Sequence, residues 1–257
     1  MGIERVDDVI HIEEVDPYII LIKMQDKKNK NTFSEEMLVG LRRAFEMIKS
    51  NLRYKVVVLT GYDNYFSCGG TKQALLDIQE GKATFLAPDG ESNIYSLPLQ
   101  CDIPVIAAMQ GHAIGGGLAL GLFADFIIMS RESIYSASFM KYGFTPGFGA
   151  TCIFPEKLGI YLAEELLLGA KTYHGVELQE RGIAFPVIPR KDILDYSLDL
   201  AKSIAEKPRN SLVVLKNHLV EELRKKLPQY IDKEIIMHEQ TFHQAEVKEK
   251  INSLYSN

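Results

Sequence analysis

Two glycine loops carry the pattern best suited to chemistry in this sequence. The first is FSCGGT, Phe66–Thr71, and the second is AIGGG, Ala113–Gly117, inside GHAIGGGLALGLFAD. Each comes after an apolar run, KVVVLTG or PVIAAMQG, and each opens a segment with helical spacing. A helix entrance of this kind presents backbone N–H groups and a positive dipole end to an anion. Glycine there also lets a helix pack closely on a strand, and the triplet alone does not choose between the two uses. No Gly-Lys-Ser/Thr follows, so the pattern is not a phosphate-binding P-loop, and Leu118 and Ala119 after the triplet break the dinucleotide fingerprint. Two such loops after successive strands can each give one N–H to a shared oxyanion hole.

The titratable candidates are sparse. His238 lies in IDKEIIMHEQTFHQ, where Ile231, Ile235, His238 and Phe242 keep spacings of four, three and four, so it sits on an apolar helical stripe. Such a histidine is either a core residue or an acid/base group whose charge changes near neutrality. His112 reads as a structural partner of the second loop's turn, and His243, one residue off the stripe, as solvated. Lys82 and Lys72 follow the first loop and could meet an anionic group, or simply be solvated. Tyr65, Tyr135 and Tyr142 are within reach of a pocket or of the core, and the sequence does not choose among them. The charged run KKNKN, Lys27–Asn31, reads as a solvated face with a phosphate or a carrier-protein surface as the alternative partner.

The elements that must position these residues read as follows. Val9–Glu13 and Tyr18–Met24 alternate around EVDP as a hairpin. Ser34, with Glu35 and Glu36 behind it, caps a helix through Met37, Leu41, Phe45 and Ile48. KVVVLTG, PVIAAMQG and FIIMS are strands apolar on both faces, which together with the glycine loops and helices predict parallel crossover units. Ligands in such folds sit at the carboxyl ends of the strands. Gly81–Asn93 reads as a mobile surface loop, and helical spacing returns at 160–169, 191–206, 210–227 and, longest, 228–250.

Composition bounds the class. The 257 residues are 46% hydrophobic and 25% charged, as in a soluble globular protein. A net charge of −5 disfavours general nucleic-acid binding. Cys68, Cys101 and Cys152 have no paired spacing, so neither a disulfide framework nor a zinc site is expected. The acidic start and the lack of a long apolar run predict no signal peptide, no membrane span and a cytoplasmic location.

VVVLTGYDNYFSCGGT, IPVIAAMQGHAIGGGLALGLFADFIIMS and GFTPGFGAT resemble the crotonase (enoyl-CoA hydratase/isomerase) superfamily in order and spacing, over nearly the whole chain. The resemblance implies an α/β fold, a crotonase-like spiral of ββα units over 1–207, with a C-terminal helical part over 208–257 that trimerises and covers the active site. It implies acyl thioester substrates, trimers or dimers of trimers, and an oxyanion hole formed by the N–H groups of Gly70 and Gly116. It places the two glutamates of the family's hydratases at Ala119 and Phe139, neither of which can move protons. Asp125 resembles a structural acid of the family.

An oxyanion hole kept without its bases suits decarboxylation, because loss of CO2 leaves an enolate and requires no base at carbon. QCDIPVIAAMQGH, RESIYSASFMKYGFTPGFGAT and AEKPRNSLVVLKNHL are similar to the decarboxylating crotonases of polyketide β-branching cassettes. That resemblance implies a 3-methylglutaconyl thioester on an acyl carrier protein as substrate and His238 as the catalytic histidine. It requires no metal or redox cofactor, the acyl group riding on phosphopantetheine of a carrier protein or on CoA. The tyrosine and lysine of one such type fall at Ala74 and Ile78 and are missing, which leaves Lys82 as the candidate cation for positioning the carboxylate. The rival expectations are a Δ3-Δ2 enoyl thioester isomerase and a non-catalytic acyl-binding subunit.

Overall fold

The computed structural model describes residues 3–5, 8–83 and 94–255. The chain opens with β1 (Ile3–Arg5), the hairpin β2 (Ile10–Asp16) and β3 (Ile19–Met24), and α1 (Glu35–Ser50). Three units of one design follow, each a long strand, a short strand and a helix. They are β4 (Val56–Thr60), β5 (Tyr65–Ser67) and α2 (Lys72–Gln79); then, after the single turn α3 (Leu97–Gln100), β6 (Val105–Met109), β7 (His112–Ile114) and α4 (Gly116–Leu122); then β8 (Phe126–Ser130), β9 (Ile134–Ser136) and α5 (Ala150–Leu158). The remaining elements are α6 (Ile160–Leu167), β10 (Thr172–His174), α7 (Gly175–Glu180), β11 (Val187–Ile188), α8 (Ile193–Ala205), α9 (Arg209–Thr241) and α10 (Ala245–Leu254).

The long strands form one sheet in the order β1-β2-β3-β4-β6-β8-β11, parallel from β3 onward; the short strands form a second, β10-β9-β7-β5. This is the expected spiral of ββα units. The strands are apolar throughout because both faces of the larger sheet are covered. Ile19, Leu21, Val56, Val58 and Ile106 pack under Ile193 and Ala201 of α8, while Ile20, Ile22, Val57, Leu59 and Val105 face the main core.

Local signals hold where they rest on caps. The Ser34 hydroxyl accepts from the Met37 amide at 3.2 Å, and the Thr71 hydroxyl accepts from Ala74 at 3.1 Å, starting α1 and α2. The division of the last helices at Pro228 does not hold. α9 runs unbroken through Pro228, and the break comes at 242–244 instead. A proline removes one backbone hydrogen bond; here Leu223 and Leu227 before it and Glu234 and His238 after it are all buried, and their packing carries the helix across the gap. The KKNKN run is not solvated at its end. Asn31 is fully buried, and its amide donates to Met24 O and Phe66 O at 2.9 and 3.0 Å. Most of the Gly81–Asn93 loop lies outside the described residues.

Candidate active site

Successive ββα units bring the two glycine loops together. Asn31 holds the end of β5, and the Ser67 hydroxyl returns a bond to Asn31 O at 2.7 Å, so the first loop leaves a fixed platform. Gly69 has a φ of +77°, and a Cβ there would lie 2.8 Å from Ile114 O and 3.5 Å from the Gly116 nitrogen. A Cβ on Gly117 would lie 2.1 Å from Ser67 O. The close-packing use of glycine is therefore present at Gly117, while Gly70 and Gly116 line the space where the loops meet. Among the described residues, neither the Gly70 nor the Gly116 amide donates a hydrogen bond. Gly116 is the first residue of α4, so its amide carries the positive end of that helix.

A cavity of about 40 Å³ lies against both loops. Leu75, Ile114, Phe139, Phe144 and Phe148 give it apolar walls, and Ser138, Tyr142, Tyr255 and Cys68 supply its neutral polar groups. Its described lining contains no carboxylate and no cation. Ala119 is fully buried, and Phe139 forms wall where a hydratase glutamate is expected. Gly116 is covered by three rings: a Cβ on it would meet Phe33 and Tyr95 at 3.2 Å and Phe148 at 3.3 Å. Phe148 holds a φ of +66° between Gly147 and Gly149, and its ring lies 4.0 Å from that of Tyr95, centroid to centroid.

α9 fixes this Phe148 turn from behind. Glu234 is 1% exposed and accepts from the Gly149 amide at 2.7 Å, the Thr151 amide at 2.8 Å and the Thr151 hydroxyl at 2.6 Å. It thereby caps the N-terminus of α5 from a distant helix, and burial pushes its carboxyl above the usual carboxylate range against those hydrogen bonds. One turn later, His238 is buried, with Nε2 2.8 Å from Thr145 O. The imidazole abuts Gly147, where a Cβ would come within 2.4 Å of its Cε1, and meets the ring of Phe144 edge-on at 6.4 Å. His238 therefore stands behind Phe144 and Gly147 rather than in the cavity lining.

The family model described as enoyl-CoA hydratase/isomerase matches residues 14–256. The chain belongs to this family. It is 57% identical over 249 residues to the bacillaene synthase decarboxylase PksI of Bacillus subtilis (strain 168), covering 97% of this chain and 98% of that one. A solved structure of a dehydratase/decarboxylase enzyme couple involved in polyketide beta-branching superposes with a TM-score of 0.93 at 57% identity, over 96% of each chain. The ECH2 decarboxylase domain of CurF from Lyngbya majuscula superposes with a TM-score of 0.91 at 44% identity, over 97% of this chain and all of that domain.

Within this enoyl-CoA hydratase/isomerase framework the other candidates separate cleanly. Lys82 is not brought to the cavity; its side chain is 65% exposed and its ammonium lies 2.5 Å from Glu80, which Lys248 also binds at 2.8 Å. Lys72 reaches Asn252 O at 3.4 Å on the surface. His112 accepts from the Ile134 amide at 2.9 Å, as a turn-fixing residue should. His243 is half-exposed and within 3.1 Å of Gln79 O. Tyr135 is buried between Ser130 and Met109, and Tyr65 packs on His112. Asp125 accepts from the Val105 amide and pairs with buried Lys216, each at 2.7 Å, tying α9 to the core. Glu234, Phe148 and Tyr255 are the site residues that sequence reasoning missed. For Glu234 the available signal was an acid one turn before His238 on the same helix.

Burial lowers the His238 pKa below its ordinary 6.5, outweighing the favourable contact to Thr145. The unfolded chain takes up a proton near pH 6.5 that the folded chain refuses. Stability from this group is thus complete above that pH and is lost as pH falls toward the folded value. Chemical denaturation between pH 7.5 and 5.5, chosen to bracket about 6.5, should show wild type losing stability more steeply than His238→Gln. Parallel pH profiles for the two proteins would contradict a buried neutral imidazole.

Proposed function

We propose that this protein decarboxylates a 3-methylglutaconyl thioester carried on an acyl carrier protein, in polyketide β-branch formation. The observation that carries the reading is that Gly70 and Gly116, from two adjoining glycine loops, line one cavity whose described lining holds no carboxylate and no cation. The likeness to decarboxylases at 57% and 44% identity supports it.

The chemistry follows from the geometry. The two N–H groups hold the thioester oxygen and favour negative charge there. The bond to the carboxyl carbon breaks, CO2 leaves, and the electron pair spreads through the conjugated system onto that oxygen as a dienolate. Phe139, Phe144 and Phe148 exclude water and give the carboxylate an apolar surrounding that its neutral product does not suffer from. A proton must then return to carbon. In this reading His238, the imidazole set behind the Phe144 wall, relays that proton from solvent, giving one proton and taking up another. Lys82 takes no part in this account, being held by Glu80. The substrate arm is phosphopantetheine, with no metal or redox group. Exposed Tyr161, Leu168 and Leu219 offer apolar surface for a homotrimer or a dimer of trimers. No described helix is long and apolar enough to cross a membrane.

The discriminating experiment offers the enzyme two carrier-bound thioesters, 3-methylglutaconyl and a carboxylate-free enoyl group. Consumption of the first alone is expected. Double-bond migration in the second, with the first untouched, would replace the reading with an isomerase, and inertness toward both would leave an acyl-binding subunit.

A further inference from the structure

A decarboxylase must recognise a free carboxylate, and the described lining of this cavity offers no cation to do so. On the decarboxylase reading, we propose that the Tyr255 hydroxyl receives the substrate's carboxylate as a neutral hydrogen-bond donor.

Four observations converge. The Tyr255 hydroxyl donates to Gly70 O at 2.7 Å, which puts it on the residue whose amide the decarboxylase reading assigns to the thioester oxygen. The carboxylate of a glutaconyl group lies only a few bonds from that oxygen, so its receptor has to stand beside the glycine loops. Tyr255 lines the cavity itself. Burial, with Tyr142 and Cys68 alongside, pushes its phenol up to about 12, so at neutral pH it is a donor and carries no charge. Finally, its position is built rather than incidental. α10, with Val247 and Ile251 buried, is tied to α2 by the Lys248–Glu80 ion pair at 2.8 Å and the Lys72 bond to Asn252 O. α2 is the helix that presents apolar Ala74 and Ile78, so the docked helix supplies the hydroxyl that α2 does not.

A neutral donor suits the reaction. An ammonium would stabilise the carboxylate in the ground state and raise the barrier to CO2 loss, whereas a phenol orients it at lower cost. A carboxylate is a stronger acceptor than a peptide carbonyl, so the O–H turns from Gly70 O to the substrate when it arrives.

The test measures binding, not turnover, with two saturated ligands that cannot form a dienolate: glutaryl-pantetheine and butyryl-pantetheine, which differ in the carboxylate. Tyr255→Phe removes one oxygen and keeps the ring against Tyr142, so the fold is retained. Calorimetric titration should show glutaryl-pantetheine binding weakened about tenfold or more and butyryl-pantetheine within about twofold of wild type. Equal weakening of both ligands, no change in either, or a carboxylate-selective loss in Tyr142→Phe instead, would overturn the assignment. Failure of the wild type to release CO2 from the unsaturated substrate would remove the decarboxylase reading and leave this binding comparison intact.

Discussion

Gly117→Ala is expected to cut catalysis about a hundredfold or more while leaving most of the secondary structure in place. The new methyl would start 2.1 Å from Ser67 O and 2.7 Å from the Ser67 carbonyl carbon. Both are backbone atoms, so no side-chain rotation relieves the clash. The first turn of α4 and the end of β5 must separate, which moves Gly116 away from the loop that carries Gly70. Loss of a single oxyanion donor costs about 10²–10³ in kcat, and this change misplaces the pair, so a fall of about a hundredfold or more is the expected result. Circular dichroism and single-turnover rates on the same preparation separate the site effect from unfolding. A variant with wild-type turnover would show that the closeness of the two loops is not what makes the site.

Glu234→Ala is expected to cost stability and activity together. Three donors, the Gly149 and Thr151 amides and the Thr151 hydroxyl, lose their acceptor in a buried place. A buried donor left unsatisfied costs about 1–3 kcal/mol; with partial relaxation, a total of about 3 kcal/mol is the expected loss for the three. The consequence reaches the site because Gly149 follows Phe148, whose left-handed backbone holds its ring over Gly116. Glu234→Gln keeps one acceptor oxygen and should fall between the two. Urea denaturation reads the stability change directly, and an alanine variant as stable as wild type would show that Glu234 does not hold the turn.

These effects mark what the sequence made legible. The two glycine loops were readable because glycine after a buried strand is a local signal, whereas the missing acids at Ala119 and Phe139 were legible only through the family resemblance. The hairpin, the Ser34 cap and the doubly covered strands were readable from local signals. The second sheet was visible only through family resemblance, since β5, β7 and β9 span three residues each, too few to show alternation. Local propensity breaks a helix at Pro228, whereas packing that only the tertiary structure reveals carries α9 through it. Lys82 is a candidate only because the family's lysine position holds Ile78, and in space its ammonium pairs with Glu80. Glu234 and Tyr255 act across 83 to 85 and 185 residues of chain, distances over which spacing carries no signal.

The central claim is that a retained amide pair, stripped of acids, serves loss of CO2. The most direct measurement is the intact mass of 3-methylglutaconyl-carrier protein before and after incubation with the enzyme. Decarboxylation gives a loss equal to the mass of CO2 with the acyl chain still attached to its carrier. An unchanged mass, or a gain of one water, would contradict it.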